Sequence, residues 1–142
     1  MSSADGSLAR GYDRSDRFVV LGIAVVAIVQ LVTAAWIVVA PHSFYTQVGA
    51  FGLYNGHFLR DAGTMTLGAG LALAASLRWT SLRAGALAAN LGLIGAHAVN
   101  HWLDIGNAHA GSNAGISDAV SLTVLAAFTA VVMRAAMRED VS

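Results

Sequence analysis

The residues of this chain that could do chemistry are histidines and aspartates grouped in a few short segments. Several of them are four residues apart, a spacing that places both side chains on one face of an α-helix. Imidazole and carboxylate groups in such an arrangement are ligands of Zn, Cu and Fe. The candidate ligands of a single divalent transition metal ion are His57, Asp61, His97, His101, Asp104 and Asp118.

The elements that must position these side chains are membrane helices, because the composition excludes a soluble globule. Of the 142 residues, 56% are hydrophobic and 11% are charged, whereas soluble domains have about 25% charged residues. The absence of cysteine excludes a disulfide scaffold. A net charge of +0 provides no basic face for nucleic acid. The expected partner of most of the surface is therefore the lipid bilayer.

Four apolar stretches come close to the roughly 20 residues that a helix needs to cross a bilayer. Backbone groups in lipid must be paired within their own segment, so we expect an all-α, antiparallel four-helix transmembrane bundle. This domain covers residues 18–134, between a disordered cytoplasmic N-terminus at 1–17 and a cytoplasmic tail at 135–142. The spans are predicted at about 18–40, 56–77, 82–105 and 116–133.

The arginines predict the orientation of the chain in the cell membrane. Positive residues accumulate on the cytoplasmic side of membrane proteins. If the four spans alternate in direction, every arginine except Arg60 lies on one side, and this places both termini of the multi-pass protein in the cytoplasm. The arginines on that side are Arg10, Arg14, Arg17, Arg78, Arg83, Arg134 and Arg138.

All the candidate ligands then fall in the outer half of the predicted bundle. Because a charged side chain facing lipid costs several kcal/mol, we expect them to face one outward-opening pocket in the interior. With neutral histidines the three aspartates contribute −3 and Arg60 contributes +1, so one divalent cation would neutralise the site. Arg60 is expected to turn inward to Asp104 or Asp118 as a structural ion pair. Nearer the midplane, Gln30 is a possible hydrogen-bond partner of Asn90.

The same polar residues allow other interpretations. They could form a buried ionic network that fixes helix packing in a non-catalytic accessory subunit. A b-type haem could be held between His57 and His97 or His101, although the negative charge of the site disfavours it. A proton or ion path would lack an ionisable relay in the cytoplasmic half. No P-loop, nucleophile elbow, zincin or dinucleotide fingerprint is present, so the sequence indicates no enzyme class.

Two further patterns concern packing. Glycine and alanine recur along spans two and three, and small residues let membrane helices approach closely, within the chain or in a homo-oligomer or larger membrane complex. Phe44, Val48 and Phe51 are spaced for a short amphipathic helix on the outer surface, which would anchor the loop or cover the pocket.

The start of span two carries a motif that resembles the second helix of DoxX-like proteins, a family of small four-span bacterial membrane proteins. The motif reads Arg60-Asp61-Ala62-Gly63-Thr64-Met65-Thr66-Leu67-Gly68-Ala69-Gly70 and follows an aromatic-rich outer loop. The resemblance implies the four-helix layout and an accessory role beside oxidoreductase or quinone-linked systems. The residues themselves predict an outer metal site for sensing, delivery or redox work with a partner protein.

Overall fold

The structure, a computed structural model, describes residues 3–107 and 114–139. Within these ranges it contains five α-helices, two single-turn 3-10 helices and no β-strand, which confirms the all-α prediction. The short second helix lies in the loop where the sequence indicated an amphipathic helix, but it includes Phe44 and ends before Val48 and Phe51. The α-helices are α1 (Ser3–Val39), α2 (Pro41–Gln47), α3 (Gly56–Arg78), α4 (Arg83–Leu103) and α5 (Ala114–Glu139), and the 3-10 turns are Thr80–Leu82 and Ile105–Asn107.

Three helical segments in the described ranges are long and apolar enough to cross a membrane, namely Asp16–Val39, Thr80–Leu103 and Gly115–Arg138. This agrees with an integral membrane protein. Helix α3 has 23 residues but carries Arg60 and Asp61 near its start, which lowers its hydropathy. Whether α3 is a fourth span stays a prediction.

The first and last helices extend beyond the predicted spans. Helix α1 begins at Ser3, so residues 3–17, predicted to be disordered, are helical. Once a helix has formed, each added residue gains a hydrogen bond without a new nucleation step, and this favours extension of the apolar span. Helix α5 likewise runs to Glu139, into the predicted tail. Residues 108–113, which include His109, lie outside the described residues.

Helix α1 lies at the centre of the packing, since it contacts both α3 and α5, while α4 packs mainly against α5. The contact between α3 and α4 is less extensive. Burial of apolar side chains against several helices excludes lipid or water from their interface and fixes their relative positions. The fully buried large apolar side chains are Val19, Ile23, Val26, Leu73, Leu87 and Val132.

Glycines bring α3 close to α1. A Cβ atom at Gly63 would lie 2.8 Å from Ile37 Cγ2, and one at Gly70 would lie 2.9 Å from Leu31 Cδ2. Both distances are shorter than a carbon–carbon contact at its optimum of about 3.5–4.0 Å. The interface between α1 and α3 therefore needs glycine at these two positions. This close packing sets which face of α3 points inward.

An ion pair joins the start of α4 to α1. Arg83 Nη1 lies 2.8 Å from Asp16 Oδ1, and the Arg83 side chain is 13% exposed. The opposite end of the helices is where Phe51, His101 and Asp118 lie, and we call it the histidine end. The ion pair thus connects α1 and α4 at one end of the helices, and the candidate site residues lie at the other end.

Candidate functional site

The clearest feature of the histidine end is a direct contact between two imidazoles. His97 Nε2 lies 2.9 Å from His101 Nε2, and the ring centroids are 4.7 Å apart. Their spacing of four residues in α4 places them one turn apart on the same face. Each ring can therefore donate to the other, or both nitrogens can face a common ligand.

Two contacts connect the end of α4 that carries this histidine pair to other elements. The ring of Phe51, in the loop after α2, meets the His101 ring edge-on with centroids 4.8 Å apart. Trp102 Nε1 donates to Thr123 Oγ1 at 2.9 Å and ties the end of α4 to α5. The loop that the sequence suggested as a possible cover does reach the pair, although α2 itself ends at Gln47 and does not include Phe51.

Asp118, in the second turn of α5, is a carboxylate beside this histidine pair. It lies close enough to His97 for the two side chains to interact electrostatically. Its Oδ2 atom and His101 Nδ1 are buried and have no hydrogen-bond partner among the described residues. A buried polar atom without a partner raises the free energy of the folded state by about 1–3 kcal/mol. These two atoms are therefore places where a proton, a water or an ion would stabilise the structure.

Asp104 takes part in the loop that follows α4. Its Oδ1 accepts a hydrogen bond from Asn107 Nδ2 at 3.1 Å, and its backbone carbonyl accepts from the N–H of Asn107 at 2.8 Å. Asp104 also interacts electrostatically with His101. Its carboxylate thus shapes the loop through Asn107 and also lies near enough to His101 to interact with it.

The predicted ligands in α3 lie apart from the histidine pair. Asn55 starts α3 by accepting hydrogen bonds from the backbone of His57 and Phe58, each at 3.1 Å. His57 Nε2 and Asp61 Oδ2 are 3.5 Å apart, with side chains 89% and 56% exposed. The expectation that His57 and Asp61 face the interior is therefore wrong, because the inward face of α3 is the glycine face that packs on α1.

Arg60 does not form the predicted inward ion pair. Its side chain is exposed, and its Nη1 lies 3.5 Å from the Gly56 carbonyl oxygen, at the limit for a hydrogen bond. Within the described residues no ion pair joins it to Asp104 or Asp118. A long side chain in the first turns of a helix can extend past the helix end, and this removes the need to enter the interior.

Gln30 and Asn90 form a separate polar contact between α1 and α4. Gln30 Nε2 lies 3.4 Å from Asn90 Oδ1, and both residues are buried. The Asn90 Nδ2 atom has no hydrogen-bond partner among the described residues. The pair thus links two helices through a weak hydrogen bond, deep in the packing and away from the histidines.

The structure divides the six predicted ligands into three places. They are the His97–His101 pair with Asp118 beside it, the exposed His57–Asp61 pair, and Asp104 in the loop. Among the residues that the structure describes, no three His, Cys, Asp or Glu side chains form a group arranged to hold a metal ion. The sequence indicated Phe51 through its spacing with Phe44 and Val48, and it gave no sign of the Trp102–Thr123 hydrogen bond.

Comparison with protein-family models, curated protein sequences and solved structures finds no match to this chain. The arguments about function therefore start from the geometry of the histidine end and from the exposed faces of the helices.

Proposed function

We propose that this chain is a four-span membrane protein that binds one divalent transition metal ion through His97 and His101. In this proposal α3 is the fourth span of an antiparallel bundle, both termini are cytoplasmic, and the histidine end faces outward. Zn, Cu and Fe are the candidate ions, because imidazole nitrogen suits all three.

The observation that carries the proposal is the distance of 2.9 Å between the two Nε2 atoms. Zinc–nitrogen bonds are about 2.0–2.1 Å long, so a tetrahedral ion holds two such nitrogens about 3.3 Å apart. Opening the pair by about 0.4 Å needs only small side-chain rotations. In the absence of an ion, the same two atoms share one proton in a hydrogen bond. A metal ion can then replace that proton without a large movement of the side chains.

Asp118 supports the choice of this pair over the pair in α3. A carboxylate with a buried oxygen that lacks a hydrogen bond is a suitable third ligand, or it can orient a histidine ligand from behind. With neutral imidazoles and an ionised Asp118 the charge of these three side chains is −1, so a divalent cation would compensate a partly buried carboxylate. Two or three protein ligands would leave positions for water or a small ligand, as a site for sensing, delivery or redox work requires.

The metal content of protein purified in detergent tests the proposal. After equilibration with Zn²⁺ and removal of free metal, we expect about one equivalent per chain by elemental analysis. The double variant His97→Ala/His101→Ala should lose it. The matched control is His57→Ala/Asp61→Asn, which removes a pair with the same spacing on α3 and should retain the metal.

Two outcomes would overturn the metal proposal. The first is full metal content in the His97→Ala/His101→Ala variant, and the second is equal loss in the α3 control. An absorption band of haem in the purified protein would redirect the assignment of the histidines to haem ligands. Asp118→Asn should weaken binding without abolishing it, because the two imidazoles remain.

A non-catalytic accessory subunit is the second candidate, and the unused glycines favour it. Cβ atoms built at Gly68, Gly85, Gly92 and Gly95 meet no atom within 4 Å. Glycines on the open surface of membrane helices allow close approach of another helix. A folded, metal-free protein that co-purifies with a larger complex would support this function, which is also the role that the DoxX-like resemblance implies.

A further inference from the structure

The outward face of α3 carries an unusual set of residues for a surface that would meet lipid. Gly63, Gly70 and Leu73 are buried, and the two glycines pack against α1. The opposite side of α3 is exposed along its length, and we call it the α3 stripe. Its polar and small members are His57, Arg60, Asp61, Thr64, Gly68 and Ala72. Leu71, which is 55% exposed, lies on the same side one helical repeat after Thr64.

The topology proposed above places α3 in the membrane, and this inference rests on that placement. The charged side chains of the α3 stripe then need a polar or charged partner. The side chains of His57 and Asp61 are 89% and 56% exposed. Ionisable side chains in membrane spans almost always face protein or water, because lipid cannot solvate them. Asp61, one turn inside α3, therefore needs either water at the histidine end or another protein surface, and the small residues that follow it on this face favour a protein surface.

Small residues continue the α3 stripe below the charges. Thr64, Gly68 and Ala72 recur every four residues, and a Cβ at Gly68 would meet nothing within 4 Å. Small residues with this spacing let two membrane helices pack with their backbones close together. Gly63 and Gly70 already show this use on the other side of α3, where α1 fills the space.

The geometry points to a second copy of this chain as the occupant, so we propose that the α3 stripe is a homodimer interface. Arg60 and Asp61 are about 100° apart around the helix, and Thr64 lies between them. In a two-fold dimer whose axis runs along the membrane normal, the two α3 helices are parallel and equal residues share one depth. Arg60 of each copy then faces Asp61 of the other.

This arrangement matches opposite charges twice and leaves no net charge from these residues at the interface. A desolvated pair of this kind can be net favourable at an interface, and a like-charge pair is strongly unfavourable. The exposed glycine face of α4 lacks this feature. Gly85 and Gly92 are open as well, but their neighbours on that face are alanines, which lipid accommodates.

The oligomeric state in lipid nanodiscs or mild detergent tests the interface, with a matched pair of glycine variants. Gly68→Leu and Gly92→Leu make the same change at positions where nothing lies within 4 Å of the added Cβ. We expect wild type and Gly92→Leu to be dimers by light scattering and Gly68→Leu to be a monomer. A monomeric wild type, or a dimer lost in Gly92→Leu and kept in Gly68→Leu, would overturn the proposal.

A charge exchange gives a second and independent readout. Asp61→Arg places two positive residues on each stripe and should convert the dimer to monomer. The double variant Arg60→Asp/Asp61→Arg restores opposite charges across the two-fold axis and should recover the dimer. If Asp61→Arg stays dimeric, or if the double variant stays monomeric while folded by circular dichroism, Arg60 and Asp61 do not meet across the interface.

Disulfide trapping locates the contact directly, because the wild-type chain has no cysteine. Thr64→Cys lies on the proposed two-fold axis and should form a cross-linked dimer in membranes on mild oxidation, whereas Gly92→Cys should not. Equal cross-linking at both positions would contradict the interface. These outcomes are independent of metal content, so failure of the dimer and failure of the metal site are distinguishable.

Discussion

Replacing Gly63 with alanine is expected to destabilise the packing of α3 on α1. The added Cβ would lie 2.8 Å from Ile37 Cγ2, 3.1 Å from Ile37 Cβ and 3.1 Å from Val38 Cγ2. A β-branched side chain in a helix has one strongly preferred rotamer, so Ile37 cannot turn away without strain. The helices must separate, or Ile37 must leave its rotamer.

The magnitude follows from two opposing effects. Overpacking of a filled interior costs about 1–3 kcal/mol, while Gly→Ala inside a helix gains about 0.5–1 kcal/mol. We therefore expect the free energy of unfolding to fall by up to about 2.5 kcal/mol in Gly63→Ala. The same change at Gly92, where nothing lies within 4 Å, should raise it by about 0.5–1 kcal/mol.

Reversible denaturation in detergent, followed by circular dichroism, measures both variants against wild type. A double-mutant cycle with Ile37→Ala isolates the contact, because that change removes the Cγ2 atom that the new Cβ would meet. The two changes should couple favourably, with Gly63→Ala less harmful in the Ile37→Ala background. If Gly63→Ala and Gly92→Ala stabilise the protein equally, α1 and α3 are not as close as the structure places them.

Two further predictions concern the arginines and the topology. Arg83→Ala should lower the free energy of unfolding by about 1 kcal/mol, because it removes the partly exposed 2.8 Å ion pair with Asp16. Arg60→Ala should change the free energy of unfolding of the monomer less. Denaturation in dilute detergent measures both variants. The sequence alone predicts the reverse order, so a larger effect of Arg60→Ala would support an inward Arg60. For the topology, Leu53→Cys, at a residue 96% exposed, should react with an impermeant thiol reagent added outside intact cells, and Ser81→Cys should not. The opposite labelling pattern would invert the proposed orientation.

Composition and local spacing determine much of this protein. A chain with 56% hydrophobic and 11% charged residues has to form helices that pair their own backbone groups, and the structure is helical throughout its regular elements. The contact between His97 and His101 also follows from sequence, because a separation of four residues inside one helix fixes the relative direction of two side chains. Neither result depends on how one helix packs against another.

The tertiary structure decides which of these faces meet. Spacing places His57 and Asp61 on one side of α3, but it does not set the rotation of α3 about its own axis. That rotation follows from the close fit of Gly63 and Gly70 against α1, which turns the His57–Asp61 pair outward. Phe51 reaches His101 through a loop whose path depends on the same packing. Contacts between helices arise from the joint fit of many side chains, so the pattern of a single segment does not contain them.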